Sequence, residues 1–369
     1  MSTSPHGQPD SPLGQPDSPL GQPDSPLGQA DSPLGQPDST LGVPGALTRR
    51  PGPPPAWPEL SFGAWQPTCE TLHMWLQIVG KIRLSYCPWV NHQWHGTLYV
   101  TARGLTTLPI PFQAQSNAPT QSFQLDFDFL DHVLRMSTSG GDRAEVALRP
   151  RSVADFHRAV LGELAALGLP VEIHGSPNEV PDPVPFAENE APGAYDPEYA
   201  TRFFRVLSST ARAFGDFRSR FTGKSSPVHF FWGAMDLAVT RFSGREAPEH
   251  PGGIPNLPDW ITREAYSHEV FSVGFWPGSA AFPSPIFYAY AYPNPDGLQG
   301  RGVEPAAARW EKDLSEFVLP YEALRTSEDP DGDLMAFLES TWEAAAELGE
   351  WDRSRLEWAP GEQPLSPGL

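Results

Sequence analysis

The residues of this chain best suited to chemistry occur twice in the same order, and a few gaps align the two copies. Each set holds a lysine, a histidine, a tryptophan and an arginine. An imidazole can move protons near neutral pH, a guanidinium binds carboxylate or phosphate through its planar fork, and an indole offers a flat apolar wall. The doubled set therefore predicts a site for a small polar or anionic molecule. Its members are Lys81, His92, Trp94 and Arg103 in the first half and Lys224, His229, Trp232 and Arg241 in the second.

We assign two roles within the predicted site. His229, His268 and His92 are the candidate catalytic residues, because imidazoles can act as general acids and bases. The opposite interpretation, in which these side chains are packed inside a tryptophan-rich core, stays open. The candidate ligand-binding residues are Arg103, Arg241, Arg245, Lys224, Trp94 and Trp232.

His268 also belongs to the run Tyr266-Ser267-His268-Glu269, which contains the residue types of a catalytic triad. Adjacent residues on a strand point to opposite faces, so these residues cannot form a triad by themselves. Histidines and aspartates elsewhere could ligate a metal ion, but none follows a metal-site spacing such as His-Glu-x-x-His. We therefore predict no metal site and leave the cofactor unassigned.

Two further features could border a site. Tyr288, Tyr290 and Tyr292 alternate with smaller or apolar residues and should share one face of a strand. They either wall a binding cavity or simply cover the sheet. The Pro- and Gly-rich loop 250–260 is either a lid over the second-half sheet or a rigid crossover connection.

Hydrophobic periodicity predicts the elements that must position these residues. Each half runs from a helix through several mostly antiparallel strands to a helix, which is an α+β pattern rather than alternating βαβ units. Together with the doubled motif, this order predicts two pseudo-symmetric modules that arose by internal duplication. We predict helices over 68–80, 152–167, 197–214, 304–319 and 331–348, and strands over 97–102, 123–129, 133–138, 143–149, 228–232, 236–242, 268–275 and 286–292.

The same patterns divide the chain into five segments. Residues 7–42 hold five near-copies of Gly-Gln-Pro-Asp-Ser-Pro-Leu, in which the prolines block a helix. We interpret this stretch as a low-complexity extension or the product of a wrongly assigned start codon, with a spacer or docking tail as the alternative. The predicted segments are a disordered tail and linker (1–56), a first module (57–178), a Pro- and acid-rich linker (179–196), a second module (197–350) and a C-terminal tail (351–369).

Composition limits the partners and the compartment. The 369 residues carry a formal net charge of −20, which disfavours binding to the phosphates of nucleic acid. No run of about 18 apolar residues is present, so no membrane partner is expected. Cys69 and Cys87 cannot build a disulfide framework, and no signal-peptide pattern opens the chain. We therefore predict a location in the cytoplasm of a bacterium and assign no protein partner.

Several strings of the sequence carry a resemblance to a known family. The most specific are residues 98–107 (LYVTARGLTT), 226–233 (SPVHFFWG), 236–245 (DLAVTRFSGR) and 264–269 (EAYSHE). From residue 57 to about residue 351 the chain resembles a bacterial family that carries only a domain-of-unknown-function label. The resemblance implies a shared fold and implies no reaction.

These observations support two hypotheses about function. In the first, an α+β protein binds a small polar or anionic molecule and transforms it by acid–base chemistry, or only binds it. In the second, the protein is a non-catalytic interaction or scaffold protein, and its histidines and tryptophans are structural. Whether the protein is an enzyme stays open.

Overall fold

Two antiparallel sheets of six strands each, one from each half of the chain, organise the described part of the protein. A computed structural model describes residues 55–113, 120–253 and 257–358, which lie in one compact unit, Pro53–Leu369. Helices pack on both sheets, so the α+β class predicted from the sequence is confirmed.

The helices follow the predicted order in most places. Two of their N-termini have the side-chain caps that the sequence indicates: Ser152 accepts a hydrogen bond from the Asp155 amide, and Asp196 accepts from the amides of Glu198 and Tyr199. The helices are α1 (Phe62–Tyr86), α2 (Val153–Ala166), α3 (Pro197–Ser219), α4 (Asp259–Ala265), α5 (Tyr321–Arg325), α6 (Pro330–Leu348) and α7 (Arg353–Leu356), with 3-10 turns at Asn91–Gly96, Phe186–Glu188 and Leu298–Gly300.

The strands of the first half are nearly a simple meander. They run in the order β1-β2-β4-β5-β6, and β3 pairs with the free length of β4. Their bounds are β1 (Tyr99–Val100), β2 (Gly104–Thr106), β3 (Ile110–Phe112), β4 (Gln121–Asp128), β5 (Val133–Thr138) and β6 (Arg143–Ala147).

The second-half sheet runs in the order β7-β8-β9-β10-β12-β11. One antiparallel bridge, Leu98–Phe230, connects the two sheets through reciprocal backbone hydrogen bonds of 2.9 Å. The strand bounds are β7 (His229–Phe231), β8 (Asp236–Glu246), β9 (His268–Trp276), β10 (Ile286–Tyr292), β11 (Arg309–Glu311) and β12 (Glu316–Pro320).

The two faces of the second sheet differ in polarity, and this difference positions the site. One face packs on α3 and α6 through aromatic pairs such as Phe271 with Phe217 and Phe287 with Phe214. Strand alternation sends the intervening side chains to the opposite face. That opposite face carries Asp236, Ala238, Thr240, Phe242, Ser272, Gly274, Tyr288, Tyr290 and Tyr292.

One predicted helix is wrong. Residues 304–319 contain the strands β11 and β12 instead. Their alternation explains the outcome, because Phe317 and Leu319 are buried on the core face and pair beside Ala289 and Phe287 of β10. Sheet pairing overrides a local preference for helix in this segment.

The internal duplication is not confirmed, because the repeated motif falls on different elements in the two halves. Lys81 lies within α1, whereas Lys224 lies in the connection between α3 and β7. His92 lies in a 3-10 turn with φ of 60°, whereas His229 begins a β-strand. The shared order of helix, strands and helix remains the basis of the duplication hypothesis.

Some predictions fall beyond the described residues. The predicted disordered tail lies almost entirely outside them, as do residues 254–256 of the loop 250–260 and the end of the C-terminal tail. Within the described residues, no helix is long and apolar enough to cross a membrane.

Candidate functional site

A cavity of about 220 Å³ lies on the polar face of the second sheet. Strands β8, β9 and β10 form its floor. The segment before β1, residue Glu179 and the end of α4 form its cover. Its lining comprises His92, Trp94, Glu179, Phe231, Ala234, Asp236, Ala238, Thr240, Phe242, Ala265, Tyr266, Val270, Ser272, Tyr288 and Tyr290.

Tyr288 and Asp236 meet across an intervening strand. The Tyr288 hydroxyl on β10 donates a hydrogen bond to Asp236 Oδ2 on β8. The tyrosine ring lies over Gly274 of β9, where an added Cβ would be 2.2 Å from Tyr288 Cζ. Only glycine leaves room for this close approach, so Gly274 is part of what holds Asp236 in place.

Hydroxyl groups make up much of the remaining floor. Thr240 and Ser272 hydroxyls lie 3.0 Å apart, and those of Tyr266 and Tyr290 lie 2.7 Å apart. Each hydroxyl can both donate and accept a hydrogen bond, so the floor can match a ligand with several polar atoms. Aromatic rings around these hydroxyls supply apolar contact area.

Two carboxyl groups of the lining titrate near neutral pH. Burial raises the pKa of Asp236 to about 6, although the hydrogen bond from Tyr288 lowers it. Although Glu179 as a residue is exposed, the protein atoms around its carboxyl group partly remove it from solvent, and this desolvation, followed by the charge of Asp236, raises its pKa to about 7. Glu316, which opens β12 on the same face of the sheet, has its pKa raised to about 8 by burial and by Asp236. Ionisation of the three carboxyl groups on the polar face is therefore unfavourable.

Glu179 lines three cavities, including the one on the second sheet. The residue is exposed, and its backbone has φ of 56°. Its carboxyl group rests on the backbone of Gly233, where an added Cβ would be 2.0 Å from Glu179 Oε1. The second cavity, of about 200 Å³, is bordered by Trp232 and Ile261, and the third, of about 540 Å³, lies beside α1.

His92 is buried at the edge of the cavity of about 220 Å³ on the second sheet, which we call the main cavity. Its contacts determine its protonation state. Lys224 Nζ lies 3.0 Å from His92 Nε2, and the Ala265 carbonyl oxygen lies 3.1 Å from Nδ1. An ammonium only donates and a carbonyl only accepts, so these contacts require a neutral imidazole with the proton on Nδ1. Burial, and then the charge of Lys224, lower the pKa of His92.

Several predicted site residues gather around His92. Its ring centroid lies 5.2 Å from that of Trp94 and 6.1 Å from that of His268. Lys224 Nζ lies 5.4 Å from the centre of the Trp94 ring. The ring centroid of His229 also lies 5.4 Å from that of Trp94. Of these five, His92 and Trp94 line the main cavity.

His229 is packed in the core next to the cavity. It is fully buried, and neither of its ring nitrogens has a hydrogen-bond partner within the described part of the chain. Burial lowers its pKa to about 3, followed by the charges of Arg83 and Arg218. The imidazole is therefore neutral at physiological pH and is surrounded by the rings of Trp94, Tyr99 and Phe231.

The predicted arginines lie away from the cavity. Arg103 is half-exposed and pairs with Asp128 at 2.5 Å and with Asp131 at 2.8 Å. Arg245 pairs with Glu269 at 2.7 Å.

Arg241 is buried on the core face of β8. It donates a hydrogen bond to the Phe217 carbonyl, and its guanidinium centre lies 3.4 Å from the centre of that ring. The remaining predicted ligand-binding residue, Trp232, is buried and donates to the Gly96 carbonyl at 2.6 Å.

Sequence reasoning missed the two carboxyl groups that border the cavity. Asp236 could have been found, because Asp236, Ala238 and Thr240 are polar or small and alternate with the apolar Leu237 and Val239. That pattern indicates a strand face that is not packed against a helix. Glu179 lies in the irregular segment before α3, where no periodicity marks it. Among the described residues, no group of three or more His, Cys, Asp or Glu is placed to hold a metal ion.

The fold and the site define an α+β protein with a polar cavity on the free face of one antiparallel sheet. Residues 57–358 match the model of the DUF5996 family, described as a family of unknown function, and the chain belongs to that family. A comparison with curated proteins found no match, and neither did a comparison with solved structures.

Proposed function

We propose that this protein binds a small polar molecule in the cavity on the second sheet. The observation that carries the proposal is the convergence of Asp236, Tyr290 and the Thr240–Ser272 pair on one cavity of about 220 Å³ that also has aromatic walls. Concave sites with apolar walls and a few directed polar groups are the usual form of small-molecule sites. In this proposal Trp94 keeps its predicted role of packing on the ligand, and His92, predicted as a proton-handling residue, lies beside it in the lining.

The cavity favours a different ligand from the anionic one considered from the sequence. Its lining contains the carboxyl groups of Asp236 and Glu179 and, among the residues that the structure describes, no arginine. The guanidinium groups of Arg103 and Arg245 are paired with carboxylates elsewhere. An anion in this cavity would meet like charge, which opposes its binding.

A substitution that fills the cavity tests the proposal. Ala238 is buried in the cavity floor, so Ala238→Leu should occupy the ligand's volume while it preserves an apolar strand position. Polar metabolites that raise the melting temperature of the wild-type protein should lose that effect in Ala238→Leu. Ala165→Leu is the matched control, because Ala165 is exposed on α2, and it should keep every shift.

Circular dichroism would verify that both variants are folded. If Ala238→Leu is folded and shows the same ligand-induced shifts as the control, the molecules bind elsewhere and the proposal fails. The proposal also fails if no polar metabolite shifts the melting temperature of the wild-type protein.

We also infer a reducing compartment, and hence the cytoplasm, from the cysteines. Cys69 is buried and Cys87 is half-buried, and both are free thiols. Structural disulfides are typical of oxidising compartments, whereas free thiols are the normal state in the cytoplasm.

A further inference from the structure

We propose that the ligand of this cavity is a small organic cation, an amine or an alkylated ammonium compound. This inference rests on the proposed function and specifies its substrate class. It follows from three features of the cavity: directed carboxyl groups, an aromatic wall, and an ammonium group of the chain itself that already lies on that wall.

The carboxyl groups face the cavity from two directions. Asp236 rises from the floor, where the Tyr288 hydroxyl orients one of its oxygens. A carboxylate can accept about four hydrogen bonds, so Asp236 retains acceptor capacity for a donor within the cavity. Glu179 approaches from the cover and rests on Gly233. A cation between the two would be paired with negative charge on both sides.

The aromatic wall is suited to an alkylated cation. Trp94, Phe242 and Phe231 line the same cavity, and the ring centroids of Trp94 and Phe242 lie 5.9 Å apart at 69° to each other. The face of an aromatic ring attracts cations, most strongly for tryptophan. Carboxylates alone could hold a hydrated inorganic ion, whereas rings favour a cation with an organic surface.

The protein itself shows that these rings accept a cation. Lys224 Nζ lies 4.7 Å from the centre of the Phe242 ring and 5.4 Å from that of Trp94. Lys224 is exposed, and both rings also line the cavity. The ligand cation would contact the same two rings from within the cavity.

The titratable groups around the cavity leave it negatively charged when they ionise. Asp236, Glu179 and the nearby Glu316 are acidic, His92 is neutral, and Tyr266, Tyr288 and Tyr290 have pKa values raised by burial. Lys224, whose ammonium contacts His92, is a positive charge at the edge of this group. A bound cation would favour the ionised forms of Asp236 and Glu179, so its binding should release protons and should strengthen as pH rises from about 5.5 to 7.5.

Calorimetric titration with matched probes tests the charge of the ligand. Choline and its neutral isostere 3,3-dimethylbutan-1-ol have nearly the same shape, and ethylamine with ethanol extends the comparison to a primary amine. On the full chain at pH 7.5, at least one cation should bind at least tenfold more tightly than its neutral partner. Asp236→Asn preserves the size of the side chain and should weaken cation binding at least tenfold, with little effect on the neutral compound.

Two further variants keep this test decisive. Glu179→Gln alters an exposed residue outside the helices and strands and should also weaken cation binding, even if Asp236→Asn does not fold. Glu163→Gln, on the exposed side of α2, removes the same charge far from the cavity and should leave affinity unchanged.

The outcomes separate this inference from the proposed function. Equal affinity for the cationic and neutral probes, or cation binding that survives both carboxyl substitutions, overturns the cation inference. It is also overturned if none of the ammonium probes binds. In each of these cases, metabolite shifts that Ala238→Leu abolishes would still support the cavity as a binding site. If no metabolite shifts the melting temperature of the wild-type protein, both the proposed function and the cation inference fail.

Discussion

At the scale of single residues, the contact between Lys224 and His92 determines how the edge of the cavity is charged. The ammonium lies 3.0 Å from Nε2, so it occupies the lone pair that a general base would need. While this contact persists, Nε2 of His92 is not available to accept a proton. His92, one of the three histidines predicted from the sequence to handle protons, is therefore neutral in this arrangement, and its catalytic role stays a prediction.

Removal of this ammonium should change the titration of His92. In Lys224→Gln the repulsion that lowers the pKa of His92 is lost, so that pKa should rise toward the ordinary value for histidine. Burial, the larger cause, remains, and the pKa should therefore stay below that value. NMR titration of the imidazole Hε1 resonance measures the change. Lys312→Gln is the control on the exposed surface, and an unchanged or lower pKa in Lys224→Gln would contradict the assigned contact.

Residue types in the sequence predicted part of this site and misplaced the rest. His92, Trp94 and Lys224 do come together, because the segment before β1 folds over the second sheet. The arginines do not, since strand alternation sends Arg241 to the core face, where it packs on Phe217. A motif repeated in sequence shows which residue types recur. It does not show which face of a strand each one occupies.

At the scale of elements, the pairing of β10 with β9 shapes the cavity floor, because it places the Tyr288 ring over Gly274. Tyr288 can reach Asp236 only because β9 has no side chain at position 274. The same contact couples three strands through one hydrogen bond. The geometry of the floor is therefore a property of β8, β9 and β10 together.

A double-mutant cycle should reveal this coupling. In Gly274→Ala the new Cβ would overlap the Tyr288 ring, and overpacking of this kind costs about 1–3 kcal/mol in the free energy of unfolding. Tyr288→Ala removes the obstacle, so the double variant should be less destabilised than the sum of the single variants. Urea unfolding measures the three free energies. Strictly additive effects would show that Gly274 does not support Tyr288.

Periodicity in the sequence predicted the elements well where burial alternates cleanly. The strand β4 alternates buried Phe123, Leu125 and Phe127 with polar residues, and it was correctly predicted. The segment 304–319 was predicted as a helix because its charged residues obscure two short strands, β11 and β12. The strand β12 is defined by pairing with β10, a long-range interaction that local patterns do not contain, and β11 in turn pairs with β12.

At the scale of the whole molecule, the second sheet places acidic groups where ionisation is unfavourable. Asp236 and Glu316 have pKa values raised to about 6 and about 8, so the folded state retains protons that the unfolded chain releases. Stability from this source is present at low pH and is lost as pH rises from about 4.5 toward 8. This contribution by itself favours unfolding as pH rises, whereas the lowered pKa of the buried His229 has the opposite effect below about pH 6.5.

Neutralisation of Glu316 should remove much of this pH dependence. Glu316→Gln should raise the free energy of unfolding at pH 8.5 by on the order of 1 kcal/mol or more, since one pKa unit corresponds to about 1.4 kcal/mol. At pH 5, where Glu316 is protonated in the folded state, the effect should be small. Urea unfolding across this pH range measures both, with the exposed Glu163→Gln as control. Equal effects at the two pH values would contradict the raised pKa.

The halves of the molecule also differ in what each sheet does. Both are six-stranded and antiparallel, but the cavity floor belongs to the second sheet alone. The first half contributes the segment with His92 and Trp94, which covers that floor. The contribution of Glu179 was not predictable, because it depends on how an irregular segment crosses the sheet.

A crystal structure of the protein with a small polar molecule that raises its melting temperature tests the central claim most directly. We predict electron density for that molecule in the cavity, within hydrogen-bond distance of Asp236 and in contact with Trp94. The Ala238→Leu variant, crystallised in the same way, should show none at this position. Density for the molecule only at other sites of the wild-type protein would contradict the proposed function.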